Sequence, residues 1–116
     1  FFSINCPATK ETKHIINKKT LNYFPDGAVL SNSARGDMIE DNAMVESLKN
    51  GKIYSLGIDV YNGEPEIHPE YLTLPNVFVL PHLGSATIDT RTAMGNLAVY
   101  NLEEFFKTGT CKNIVN

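Results

Sequence analysis

The sequence predicts an α/β fold built on a doubly wound parallel sheet. Two observations carry that expectation. Four short β-rich runs alternate with stretches of helical spacing. Within each run the apolar residues sit side by side rather than in strict alternation, the pattern of strands covered on both faces. Strand, helix, strand, helix in this order requires crossover connections, which are right-handed.

The first run covers residues 2–6, where the chain opens as if already inside a strand, so the sequence reads as a piece of something longer. Residues 1–5 have neither a basic leader nor a small-residue cleavage site, and no signal peptide is expected. A polar start at Thr9-Lys10-Glu11-Thr12 leads into a helical stretch around Ile15, Ile16 and Leu21. It stops at Pro25-Asp26-Gly27, a turn in which proline presets one backbone angle and glycine supplies the left-handed one. Residues 28–32 form the second run. The next helix begins near Glu40-Asp41, carries Met44 and Leu48 on one face, and ends with Lys49 in its last turn and Gly51 just beyond, as helix termini favour. Residues 55–60 and 77–80 are the third and fourth runs. Thr87 or Asp89 can then cap a longer helix. Its stripe of Met94, Leu97, Ala98, Leu102 and Phe105 is broken only by Asn101, and Gly109 closes it.

With 116 residues the chain is one domain long and can bury a core. Ten basic against thirteen acidic residues give a net charge of −3, and the basic ones are scattered, so no nucleic-acid footprint is expected. No apolar run approaches the roughly 20 residues of a membrane span. Cys6 and Cys111, near opposite ends, suit two reduced thiols in a cytosolic protein better than a disulfide scaffold. Three histidines without paired spacing predict no metal site. The eight glycines contain no G-x-G-x-x-G, so the phosphate-cradling turn of a dinucleotide site is not encoded in this segment.

Ligands of an open parallel sheet bind beyond the carboxyl ends of the strands. There the second run leads into Ser33-Ala34-Arg35-Gly36, the third into Asp59 with Glu64 in the following loop, and the fourth into Pro81-His82. These groups suit reduction of a 2-keto acid. Arginine grips a carboxylate with a planar, permanently charged fork and can polarise the carbonyl beside it. Histidine can deliver the proton that the nascent alkoxide needs, and a neighbouring carboxylate such as Glu64 holds the ring in one orientation. Taken singly, each has a plainer reading. Arg35-Gly36 can be a turn with a surface ion pair, His82 a satisfied loop histidine, Glu64-Pro65 an ordinary loop, and Asp59 a cap on its turn. Their joint placement at consecutive strand ends favours function. His14 and His68 are expected to face solvent.

At these residues the sequence resembles the D-isomer-specific 2-hydroxyacid dehydrogenases. Cys6-Pro7-Ala8-Thr9-Lys10-Glu11-Thr12 is similar to that family's H-x-P-x-T-x-x-T segment, and the stretch from Gly27 to Gly36 to its G-A-x-x-I-N-x-[AS]-R-G. Gly57-Ile58-Asp59-Val60-Tyr61-Asn62-Gly63-Glu64-Pro65 is similar to its L-D-V-F-x-x-E-P. Leu74-Pro75-Asn76-Val77, followed by Pro81-His82-Leu83-Gly84-Ser85-Ala86-Thr87, is similar to its L-x-N-V…P-H-[IL]-G-[SG]-x-T. Tyr61 stands where phenylalanine is usual, and Ser31-Asn32 where Ile-Asn is.

The resemblance implies that residues 1–86 are the C-terminal half of a Rossmann-type NAD(P)-binding domain. It implies that 87–116 form a crossover helix and tail returning to a substrate domain outside this segment. By it, Arg35 binds and polarises the substrate, Glu64 partners the histidine, and His82 is the acid–base residue. Asp59 holds the nicotinamide carboxamide, while Cys6, Pro7, Ser33, Ala34, Arg35, His82 and Gly84 belong to the cofactor site. It further implies a cytoplasmic homodimer using NAD or NADP on a small 2-keto acid. Glu64 argues against the formate dehydrogenase branch, and the end at Asn116 against the longer phosphoglycerate dehydrogenases. The stretch from Glu64 to Tyr71 is similar to that of bacterial glyoxylate and hydroxypyruvate reductases. Two other readings stand beside this one: a dinucleotide-sensing module of the co-repressor type, and an inactive fragment.

Overall fold

The computed structural model describes residues 1–115. The chain divides into two compact units, Phe1–His82 and Leu83–Asn116. In the first, strands β1 (Phe2–Ile4), β2 (Ala28–Asn32), β3 (Ile53–Ile58) and β4 (Val77–Val79) form one parallel sheet in the order β1-β2-β3-β4. Helix α1 (Lys18–Leu21) lies in the first crossover and α2 (Asp41–Lys49) in the second. Short 3-10 turns at Gly36–Met38 and Pro69–Leu72 follow β2 and precede β4. This is the parallel α/β architecture that the alternating runs predict.

The core gathers Ile4, Leu30, Leu56 and Ile58 from the sheet, Leu21 from α1, and Met44, Val45 and Leu48 from α2, with Met38 and Tyr71 from the 3-10 turns. The strands differ from the expectation of burial on both faces. In β2, buried Ala28, Leu30 and Asn32 alternate with half-buried Val29 and exposed Ser31. Ser3, Ser31, Gly57 and Phe78 stand in register on the other face, and none of them is buried. The crossover elements contribute to a single core, so only one side of each strand is sealed by it.

The first helix is shorter than its apolar spacing suggests. His14 takes a left-handed φ of 50° and Asn17 an extended backbone, so no helix runs through residues 14–17. Tertiary bonding overrides propensity: the Ile16 amide donates to the Met38 carbonyl at 3.0 Å, and the Glu40 amide to the Ile16 carbonyl at 2.8 Å. Asn17 then caps α1, its Oδ1 accepting the Lys19 and Thr20 amides. By contrast α2 starts and stops as expected, with Gly51 at φ 79° beyond it.

In the second unit, α3 (Ile88–Thr108) is capped by Thr87, whose Oγ1 accepts the Thr90 amide at 3.2 Å. It closes at Gly109, with φ 78°. None of its residues is buried, and the stripe of Met94, Leu97, Leu102 and Phe105 is exposed. Asn101 has its own role: its Oδ1 accepts from Asn113 Nδ2 at 3.1 Å and ties the tail to the helix. No described helix is long and apolar enough to cross a membrane.

Candidate active site

The site is built from the loop after β2. Asn32, the last residue of that strand, is 1% exposed. Its Oδ1 accepts the Ala34 amide at 3.0 Å, and its Nδ2 donates to the Arg35 carbonyl at 2.9 Å. A buried amide side chain thus replaces the backbone partners that a tight turn lacks and sets where Arg35 leaves the strand. Arg35 is exposed, with Nη1 donating to the Ala34 carbonyl at 2.6 Å.

Gly36 explains the residue after it. A Cβ there would overlap the backbone of Tyr61 and Asn62, so the two loops touch main chain to main chain. That contact brings the loop after β3 onto the loop after β2 and carries Glu64 toward Arg35. Glu64 spends one oxygen on its own loop, Oε1 accepting the Tyr61 amide at 3.0 Å. The other, Oε2, lies 2.7 Å from His82 Nδ1. The His82 hydrogen bond, helped by the Tyr61 amide and by the charges of His82 and Arg35, holds the Glu64 carboxyl below the usual carboxylate range.

His82 sits at φ 57°, in the left-handed region where a residue with a Cβ is rare. Such a conformation persists only where surrounding contacts enforce it, and it is concentrated at functional positions. With Nδ1 engaged by Glu64, Nε2 is the ring nitrogen that can meet a ligand. Arg35, Gly36, Asp37, Tyr61, Glu64 and His82 line one open cleft of about 390 Å³ with Ala8, Asn62 and Gly63.

A second cleft, of about 510 Å³, is lined by Asn5, Cys6, Pro7, Ala8, Ser33, Ala34 and Arg35. It shares Ala8 and Arg35 with the first. Its floor joins the carboxyl ends of β1 and β2, where an open parallel sheet takes its ligands. Pro7 in that lining is braced from behind: Thr12 Oγ1 donates to the Pro7 carbonyl at 2.8 Å and accepts the Thr9 amide at 2.7 Å. Cys6 Sγ contacts Met38 Sδ at 3.6 Å, so the thiol packs against the core edge.

The structure therefore brings Arg35, Glu64 and His82 to one cleft, and Cys6, Pro7, Ser33 and Ala34 to its neighbour. Asp59 lines neither of these two. It follows β3, half-buried, with its amide donating to the Asn32 carbonyl at 3.0 Å. Gly84 belongs to the second unit. His68 is not the solvent-facing residue expected: it is half-buried, Nε2 lies 3.3 Å from Asn42 Oδ1, and Nδ1 is shielded from water. His14 is half-buried too. Among the described residues no group of three potential ligands could hold a metal.

Sequence reasoning passed over Asn32, the Thr9–Thr12 pair and Asp37. An asparagine two residues before Ala34 has the spacing of an Asx turn, a signal present in the sequence. Asp37 had no such signal, since its surroundings come from distant loops.

Residues 1–84 match the family described as D-isomer specific 2-hydroxyacid dehydrogenase, NAD binding domain. The chain belongs to that family. It is 43% identical over 118 aligned residues to glyoxylate/hydroxypyruvate reductase B of Serratia proteamaculans, covering 100% of this chain and 36% of that one. It is 40% identical over 116 residues to glyoxylate reductase of Thermococcus litoralis, covering 100% and 35%. Among solved structures it resembles the NADPH-dependent glyoxylate/hydroxypyruvate reductase of Sinorhizobium meliloti in complex with NADP and malonate. There the TM-score is 0.91 at 37% identity, over 97% of this chain and 35% of that one. The chain spans about a third of the length of the curated relatives it matches.

Proposed function

We propose that this chain is part of an NAD(P)-dependent reductase that converts a small 2-keto acid, glyoxylate or hydroxypyruvate, into the D-2-hydroxy acid. The observation that carries the reading is the 2.7 Å contact between Glu64 Oε2 and Nδ1 of a left-handed His82, in a cleft that also holds Arg35. The names of the relatives point the same way. In this reading residues 1–86 serve the cofactor and 87–116 return to the substrate domain.

The second cleft suits the nicotinamide end of a dinucleotide. Its lining of Cys6, Pro7, Ala8, Ser33 and Ala34 is small enough for a flat ring to approach the backbone. When bound, the nicotinamide supplies the hydride. Arg35 grips the substrate carboxylate and draws charge toward the adjacent carbonyl oxygen. As the carbonyl carbon is reduced, its oxygen gains negative charge and takes a proton from His82 Nε2. Glu64 Oε2 accepts from Nδ1 and holds the ring in one orientation, which leaves Nε2 for the substrate.

The test is steady-state reduction of glyoxylate and hydroxypyruvate by the full-length protein, with NADH and NADPH compared. His82→Gln is expected to abolish most of kcat, and Arg35→Ala mainly to raise KM while also slowing the step. Parent-level rates in both variants would refute the assignment. Binding of the dinucleotide without turnover of any 2-keto acid would favour the sensing module. We also propose a cytoplasmic homodimer, which light scattering of the full-length protein tests for its oligomeric part.

A further inference from the structure

Asn32 is a polar residue in an apolar setting. It lies on the core face of β2 with Ala28 and Leu30, and its partners in register on the flanking strands are Ile4 and Ile58, all four of them buried hydrophobic residues. Among the described residues, Asn32 and Ser47 are the buried polar ones, and Asn32 is the deeper at 1% exposed. An aliphatic side chain of similar volume would serve the sheet at least as well, because only hydrogen bonds offset the desolvation of a buried amide. Both side-chain bonds that Asn32 makes leave the sheet for the loop.

They form a route to the guanidinium. Asn32 Oδ1 accepts the Ala34 amide at 3.0 Å, and Nδ2 donates to the Arg35 carbonyl at 2.9 Å. Ala34 in turn receives Arg35 Nη1 on its own carbonyl at 2.6 Å. Asn32 thus holds both the residue that orients the guanidinium and the residue that carries it. Beyond Arg35 the chain is pinned again, where Gly36 abuts the Tyr61 and Asn62 backbone. Arg35 stands extended between these anchors, at φ −149° and ψ 146°. It is exposed and lines both clefts, so the loop behind it sets its direction rather than packing around the side chain.

We propose that Asn32 is a positioning residue for the reaction: acting through Ala34 and the Arg35 carbonyl, it aims the guanidinium at the substrate carboxylate. This rests on the reductase reading above. The planar fork of arginine grips a carboxylate at two points only when it is correctly oriented. A fork free to swing keeps its charge but loses more conformational entropy each time substrate binds. Asn32 therefore contributes to substrate binding without touching the substrate.

The experiment is a double-mutant cycle in the full-length enzyme with its nicotinamide coenzyme, reading kcat/KM for glyoxylate. Asn32→Leu keeps the volume and removes both loop bonds. It is expected to lower kcat/KM about tenfold, chiefly through KM, the scale of one or two lost hydrogen bonds. In the Arg35→Ala background the same substitution is expected to change kcat/KM by less than about twofold, because the group it aims is gone. A purely structural role, loosening β2 as a whole, would lower kcat/KM by the same factor in both backgrounds, and that result overturns the proposal. So does a parental kcat/KM in Asn32→Leu alone. Where Asn32→Leu does not fold, Asn32→Asp enters the same cycle, keeping an acceptor for the Ala34 amide and losing the amide donor to the Arg35 carbonyl. A parent enzyme that does not reduce glyoxylate, or an Arg35→Ala variant with parental kcat/KM, overturns the reductase reading and the role of Asn32 with it. A failed cycle in an active, Arg35-dependent enzyme overturns only the role of Asn32.

Discussion

At the amino ends of β3 and β4, Leu48, Ile53, Tyr54, Leu74 and Pro75 help to line a hollow of about 750 Å³. At the carboxyl ends, the cleft holding Arg35, Glu64 and His82 measures about 390 Å³. The larger hollow is the poorer candidate for chemistry. Lys49 is its one charged residue, and Lys49 is already paired with Glu70. The smaller one combines a left-handed histidine, a carboxylate committed to it, an arginine, and an aspartate without a donor. Volume reports how poorly surfaces fit. Function is written in groups held where folding alone would not hold them.

That contrast can be broken at either end, and the largest effect belongs to the carboxyl rim. Under the proposed reductase function, His82→Gln in the full-length protein is expected to lower kcat by about a thousandfold, the usual scale of a lost proton donor. Retention of even a tenth of the parental rate would move the chemistry elsewhere. Arg35→Ala is expected to cut kcat/KM by about a hundredfold, chiefly through KM, because the substrate carboxylate loses its charged fork. Gly36→Ala forces a Cβ into the Tyr61–Asn62 backbone. It should cost about 1–3 kcal/mol of stability, the range for overpacking a tight contact, and should slow turnover by moving Glu64. A chemical-denaturation curve superimposable on the parent would show that the loops do not rest on that contact.

A smaller effect concerns pH. Because the folded state holds Glu64 below the usual carboxylate range, the unfolded chain binds the proton first as pH falls. The stability that Glu64 contributes is therefore complete above that range and is lost as pH drops through the depressed value. The stability gap between parent and Glu64→Gln should stay constant near pH 6 and shrink below about pH 4. A gap that widens on acidification would reverse the sign and the assignment. The smallest effect is expected at the amino end: Tyr54→Ala, at an exposed wall of the larger hollow, should leave kcat/KM within about twofold. A greater loss would dissolve the distinction between the two ends.

Much of this was legible in the residues themselves. Runs of β-branched and aliphatic residues marked the strands, Pro25-Asp26-Gly27 and Gly51 marked turns, and Thr87 and Gly109 bounded α3, because each acts over a few residues of chain. The first helix was not legible. Ile15, Ile16 and Leu21 carry a helical spacing, but the backbone of Ile16 bonds to Met38 and Glu40, more than twenty residues away. His68 differs from expectation for the same reason, since it lies against Asn42 on α2 and is half-buried there. The apolar stripe of α3 was read correctly as a stripe, yet no residue of that helix is buried.

The sequence by itself determined the class of fold, the order of its strands and helices, and which side chains stand at the strand ends, since periodicity and turn chemistry are local properties. Tertiary structure alone decided that Gly36 is wedged against Tyr61 and Asn62, that Glu64 pairs with His82, and that Asp37 Oδ1 is left without a donor. Those outcomes depend on how loops far apart in sequence close on one another, and close packing between them leaves no trace in the spacing of either.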